Sequence, residues 1–184
     1  MAKPVDVDLS GRICMVTGAT SGIGMAVAED LARLGAHVVV ACRNEAKARA
    51  MMARITADCG HDRLELMRVD LSSPRSILEA TAAFSKQHDK LDVLVNNASV
   101  WPRRRRETGD GMEMTFATNV LGYHLLTKRL LPLLRNGTNA RIVNVASGFA
   151  GQLDMNDLMF ERRYFVGALA YRQSKQANRM LSWQ

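Results

Sequence analysis

At 184 residues with 47% hydrophobic side chains, the chain suits one domain that buries roughly 70% of its unfolded surface. The net charge of +7 is densest at Arg103 to Arg106, but no aromatic residues interleave there and no nucleic-acid motif accompanies them. A solvated loop that helps draw in an anion is expected, not a nucleic-acid partner. No apolar run nears the roughly 20 residues of a membrane span, the polar stretch Met1 to Asp8 lacks a signal-peptide core, and Cys14, Cys42 and Cys59 have neither disulfide nor zinc spacing, so a reducing, cytoplasmic setting is expected.

Strand and helix signals then alternate along the chain. Arg12 to Thr17 reads as a buried strand and Ile23 to Leu34 as an amphipathic helix, with Gly18, Gly22 and Gly24 in the turn between them. Ala36 to Cys42 is a Val-rich strand, Glu45 to Asp58 a helix closed near Gly60, and Leu64 to Val69 a third strand. Ser73 followed by Pro74 is a strong start signal for a helix running to about Gln87. Leu91 to Val95 is a short buried strand, and a long helix is expected from about Gly111 to Leu134, bent in its last turns by Pro132. Arg141 to Val145 is the fifth strand, and a last helix begins at Ala168. This alternation predicts an α/β, doubly wound parallel sheet of Rossmann type, covered on both faces. Five strands are fewer than such folds usually carry, and the last helix reaches Gln184 without a cap, so the domain is expected to be incomplete at its C-terminus, with the fifth strand an exposed edge.

A strand, a glycine-rich turn and a helix N-terminus form a phosphate cradle, because the first amides of a helix are unpaired and its dipole favours an anion. The string Thr17-Gly18-Ala19-Thr20-Ser21-Gly22-Ile23-Gly24 has this placement, although alone it also fits an ordinary strand–helix turn. In dinucleotide folds the residue about 20 positions beyond the glycines meets the adenosine ribose. Arg43 stands there; an arginine can pair with a 2′-phosphate where an acid would repel it, so NADP(H) is expected over NAD(H). The same arginine is also readable as a loop residue, and Ser21 adds no second positive charge. Tyr171 and Lys175 share a helix face, and a neighbouring ammonium favours the phenolate of a phenol whose ordinary pKa is about 10. Ser147, just past the fifth strand, can donate to a carbonyl oxygen or be a plain turn residue. His61, His88 and His124 lack ligand spacing with one another or with His37, so no metal site is expected.

Taken together, the T-G-x-x-x-G-I-G turn, Asp70-Leu71, Asn96-Asn97-Ala98, Asn119, Ser147 and Tyr171-x-x-x-Lys175 resemble the short-chain dehydrogenase/reductase family over nearly the whole chain. Ala41-Cys42-Arg43-Asn44 and the long gap between Ser147 and Tyr171, carrying Asp157 to Arg163, resemble its retinol dehydrogenase-like subgroup. The resemblance implies an oxidoreductase that interconverts a small-molecule alcohol and carbonyl. Tyr171 is then the acid/base, Lys175 lowers its pKa and holds the nicotinamide ribose, Ser147 orients the carbonyl, and Asn119 holds a water of the proton relay. It places the cofactor against Gly18, Thr20, Ser21, Gly22, Ile23, Gly24, Arg43 and Asn44, with Asp70 and Leu71 at the adenine and Asn97, Ala98 and Ser99 along the channel. Ser99 stands where the family usually has glycine, and so puts a Cβ at a position of close backbone approach. Homodimer pairing through the long helix and the Tyr/Lys helix is also implied. The rival reading is a truncated, non-catalytic dinucleotide-binding module.

Overall fold

In the computed structural model, which describes residues 7–182, the five apolar runs form one sheet. Its strands are β1 (Ile13–Thr17), β2 (His37–Cys42), β3 (Leu64–Arg68), β4 (Val93–Asn96) and β5 (Arg141–Asn144). They lie in the order β3-β2-β1-β4-β5, and every neighbouring pair is parallel. The helices are α1 (Gly22–Arg33), α2 (Glu45–Cys59), α3 (Pro74–Gln87), the short α4 (Met114–Phe116), α5 (Gly122–Asn136) and α6 (Gly167–Leu181). Chain order and spatial order part company at β1, whose two neighbours are β2 and β4. There the connections diverge and leave a crevice at the carboxyl ends of the strands.

The unbroken apolar runs of β1 and β2 follow from burial on both faces. Met15, Val39 and Leu94 point to one side, where they pack with Ile77 and Phe84 of α3 and Leu126 and Leu130 of α5. Their neighbours Cys14, Val16, Val38 and Val40 point to the other side, against Ala28 and Ala32 of α1 and Ile55 of α2. Each fully buried leucine or phenylalanine contributes about 2 kcal/mol by leaving water, and the small alanines let α1 lie close to the sheet. β5 differs: Ile142 and Val143 remain 42% and 46% exposed, so the expected bare edge is present.

Local signals set most helix ends. The Ser73 hydroxyl accepts from the Ser76 amide with Pro74 in the first turn, the Asn44 side chain accepts from the Lys47 amide, and α2 closes at Gly60. The long helix expected from Gly111 is corrected. Gly111 is still in a left-handed turn (φ +76°), and the buried Glu113 carboxylate accepts from the amides of Thr115 (2.8 Å) and Phe116 (2.7 Å), so the helix starts at Met114. Residues Ala117–Leu121 then form a π turn before α5 continues to Asn136.

At the amino ends of the strands, the fully buried Asp92 accepts from the amides of Ile13 (2.9 Å) and Thr138 (2.8 Å) and pairs with Arg12 and Lys90, both at 3.3 Å. This one carboxylate ties β1, β4 and the entry to β5. The opposite, carboxyl ends are thereby left to the site.

Candidate active site

The first turn after β1 is shaped by contact between backbones. Gly18 has φ +64°, and a Cβ on it would lie 2.7 Å from the Ala98 Cα; one on Gly24 would lie 2.6 Å from the Gly18 carbonyl oxygen. Only glycine lets β1, α1 and the end of β4 meet this closely. The Thr17 hydroxyl locks the junction by donating to the Val95 carbonyl and accepting from the amides of Asn97 (2.8 Å) and Ala98 (3.0 Å). Asn97 completes it by donating its side-chain amide to the Thr17 carbonyl at 2.9 Å. Ser21 caps α1 in an extended conformation without using its hydroxyl for the cap, and it lines the cavity beside this turn.

These elements border a cavity of about 720 Å³ that runs from the glycine turn to α6. Of the residues expected to contact a cofactor or substrate, Gly18, Thr20, Ser21, Ile23, Arg43, Asn44, Asp70, Leu71, Asn97, Ala98, Ser99, Ser147, Tyr171 and Lys175 line it. Gly24 and Asn119 are buried behind the wall, and Gly22 is exposed outside the lining. Ser99 lies outside the left-handed region, so its Cβ sits in the lining without backbone strain.

At one end, Arg43 is 61% exposed with its guanidinium 3.9 Å from Asp70, whose other carboxylate oxygen accepts from the amide (2.9 Å) and hydroxyl (2.7 Å) of Ser72. Lys47, from the first turn of α2, lines the same cavity. It supplies the second positive charge that Ser21 could not. Its signal in the sequence was its place four residues beyond Arg43, in the helix turn that faces the crevice.

At the other end, Lys175 is 1% exposed and donates to the Val145 carbonyl at 2.7 Å. Its nitrogen lies 5.7 Å from the ring centres of both Tyr171 and Tyr123. Burial pulls the ammonium down to about 8, so it deprotonates far more readily than a surface lysine. Tyr123 donates to the Ala98 carbonyl at 2.7 Å, and burial, aided by the neighbouring Tyr171, pushes its phenol well above the ordinary value. It remains a neutral donor. The Ser147 oxygen accepts from the Phe149 amide at 3.1 Å, which leaves its proton free to donate into the cavity.

The side chain of Asn119 is committed elsewhere. Its oxygen accepts from the Val100 amide (2.9 Å), while its NH₂ donates to the Val100 carbonyl and the Ser174 hydroxyl, both at 3.1 Å. Ser174 in turn donates to the Tyr171 carbonyl at 2.7 Å. Asn119 therefore straps the segment after β4 to α6, in front of the Tyr171 ring. That segment carries Trp101, which reading the sequence did not single out. Its indole stacks on Tyr171 at 4.6 Å and 10°, and Phe149 lies 6.0 Å beyond. A flat aromatic wall thus fixes the face of the phenol.

The insertion over residues 157–163 is pinned to α6. Asp157 accepts from the amides of Glu161 and Arg163, and burial of its charge is outweighed by these amides and the Arg163 guanidinium, which hold it below the usual carboxylate range. Arg163 donates to Gln173 at 2.8 Å, and Gln173 donates to the Leu158 carbonyl at 2.9 Å. Within the arginine run, Arg105 donates to the Met159 carbonyl at 3.1 Å, so that residue joins two loops, while Arg103, Arg104 and Arg106 are exposed. Among the described residues, no helix is long and apolar enough to cross a membrane.

The chain is similar to known proteins over almost its whole length. It is 38% identical over 180 residues to human dehydrogenase/reductase SDR family member 12, covering 97% of this chain and 56% of that one. It is 38% identical over 175 residues to mouse retinol dehydrogenase 12, covering 94% and 55%. A crystal structure from Escherichia coli CFT073 complexed with NADPH superposes with a TM-score of 0.75 at 26% identity, covering 94% of this chain and 69% of that chain. The chain thus spans about half the length of these curated relatives. The family model for short chain dehydrogenase matches residues 12–182, which takes in the glycine turn, the cavity and the Tyr171/Lys175 helix; the chain belongs to the short-chain dehydrogenase family.

Proposed function

We propose that this chain is the dinucleotide-binding part of an NADP(H)-dependent oxidoreductase that interconverts an alcohol and a carbonyl. The observation that carries the reading is one continuous cavity with the glycine turn at one end and Tyr171, Ser147 and Lys175 at the other. The cradle fits a dinucleotide: Gly18 and Gly24 leave no room for a Cβ, and the Ser21 hydroxyl and the start of α1 would meet an anion. Arg43 and Lys47 would hold a 2′-phosphate, Asp70 and Leu71 would flank the adenine, and Asn97, Ala98 and Ser99 would line the path to the nicotinamide. The E. coli structure complexed with NADPH supports this choice of nucleotide.

When bound, the nicotinamide would supply or accept the hydride. Tyr171 gives its phenolic proton to the carbonyl oxygen in reduction and takes the hydroxyl proton in oxidation. Ser147 donates its free proton to the same oxygen and so holds the carbonyl against the tyrosine. Lys175, while charged, stabilises the phenolate and binds the ribose. The side chain of Asn119 acts on position through Val100 and Ser174; a relay water there would need a group other than its committed NH₂.

The test is a titration with NADPH and NADH, followed by turnover with a panel of aldehydes and ketones. Arg43→Asp is expected to weaken NADPH by about 10- to 100-fold while sparing NADH. Tyr171→Phe keeps the ring against Trp101 and is expected to lower turnover about 10²- to 10⁴-fold; equal rates in the two proteins would remove Tyr171 from the chemistry. A second reading, a dinucleotide-binding module without turnover of its own, is favoured by the uncovered Ile142 and Val143 on β5; NADPH binding with no activity toward any substrate would support it. Pairing of two copies through α5 and α6 and a cytoplasmic location complete the proposal, the latter resting on three unpaired cysteines.

A further inference from the structure

The edge of the sheet opposite the cavity carries a second cluster of reactive side chains. His37 opens β2, and Val39, two residues on, is paired with Glu65 of β3, so His37 and Glu65 project from one face as diagonal neighbours. α3 covers that face through Ile77 and Phe84, and its last turn delivers His88, whose amide donates to the Phe84 carbonyl at 3.0 Å. The His88 ring stacks on Phe84 at 4.3 Å and 29°, which fixes its direction. As a result His37 Nε2 lies 3.1 Å and His88 Nε2 lies 2.7 Å from the same Glu65 oxygen. The fold thus brings together two histidines that are far apart in the sequence, where no metal site was expected.

Two imidazole nitrogens and one carboxylate oxygen are the donors of an open, three-ligand zinc site. All three ligand atoms fall within 4.8 Å of one another. Metal–ligand bonds of about 2.0–2.1 Å put tetrahedral ligands roughly 3.3 Å apart. The observed 3.1 and 2.7 Å need openings of about 0.2 and 0.6 Å, and the two ring nitrogens, already within 4.8 Å of each other, need to close by at most about 1.5 Å. The side chains of His37, Glu65 and His88 are 33%, 24% and 15% exposed, which leaves a path for an ion and room for a water as fourth ligand. A ring hydrogen-bonded to the carboxylate through Nε2 does so as the Nε2–H donor. On binding, each shifts that proton to Nδ1, and the ion replaces the two bridging hydrogens.

We propose that His37, Glu65 and His88 form a binding site for a divalent transition ion of the zinc class, which cross-links β2, β3 and the end of α3. The length of β2 separates it from Arg43 and the cavity by about 20 Å, so the ion serves the fold and not the chemistry at Tyr171.

The experiment uses the tag-free chain, stripped with a chelator and titrated with Co²⁺ as a visible probe and with Zn²⁺ by calorimetry and thermal melting. One equivalent of Co²⁺ is expected to give a d–d band of tetrahedral or five-coordinate intensity, and Zn²⁺ to raise Tm while Mg²⁺ does not. His37→Gln and His88→Gln are each expected to weaken Zn²⁺ at least tenfold with NADPH titration unchanged, so the outcome is independent of the dinucleotide reading. Absence of a band at saturating Co²⁺, or a band that survives in the double variant, overturns the site. X-ray absorption of the Co²⁺-loaded wild type decides the matter if the variants do not fold: two imidazoles and an oxygen support it, and a sulfur ligand overturns it.

Discussion

Lys175 enters the interior with one acceptor, the Val145 carbonyl, and burial holds its pKa at about 8 against an ordinary 10.5. Keeping that ammonium charged near pH 7 costs about 3 kcal/mol on this shift. Lys175→Met preserves the length of the side chain and removes the charge; it also forfeits a hydrogen bond of about 1 kcal/mol. The variant is therefore expected to be more stable than wild type by about 2 kcal/mol near pH 7. The sign with pH follows from the depressed value. Between about 8 and 10.5 the unfolded chain holds the lysine proton that the folded one has lost, so wild-type stability rises with pH across that window. By about pH 9.5 wild type should have recovered roughly 2 kcal/mol relative to the variant, which closes the gap. Urea unfolding of both proteins at the two pH values measures this, and a turnover assay should show the stabilised variant inactive. A variant that is less stable near pH 7, or whose advantage does not change with pH, would refute the assignment of Lys175 as a buried, destabilising charge.

Asp92→Asn is expected to lower stability by about 2–4 kcal/mol, because Arg12 and Lys90 lose their partner. Burial opposes the Asp92 charge, but the amides of Ile13 and Thr138 and the Lys90 ammonium hold its pKa below the usual range. Its contribution is thus full above the unfolded value and lost as pH falls through the folded one, so urea midpoints of the variant should vary less over the acid limb. Gly18→Ala should abolish NADPH binding in a fluorescence titration and lower Tm, since φ +64° and the Ala98 backbone both oppose a Cβ. Trp101→Ala should reduce kcat with little change in NADPH affinity, because it frees the Tyr171 face and leaves the cradle intact. Arg163→Ala should release residues 157–163 from α6, seen as faster amide exchange at Glu161 and Arg162, with about 1–2 kcal/mol of lost stability.

Much of this protein is written locally. The apolar runs fix five strands because a parallel sheet covered on both faces demands continuous hydrophobicity, and Ser73-Pro74, Asn44 and Gly60 fix helix ends through their own backbone and side-chain preferences. The glycine turn and the Tyr171/Lys175 spacing are likewise legible, since each is a short-range pattern with one steric or chemical purpose. What the chain order could not disclose depends on contacts between distant segments. Glu113 and the π turn moved the start of the long helix, and Asn119 became a strap because Val100 and Ser174 come to it from two other elements. Lys47 joined Arg43 only once α2 was docked beside β2, and Trp101 met Tyr171 only once α6 was packed beside the segment after β4. His37 and His88 converge on Glu65 for the same reason: local periodicity assigns each residue to an element and a face, whereas the packing of elements decides which faces meet.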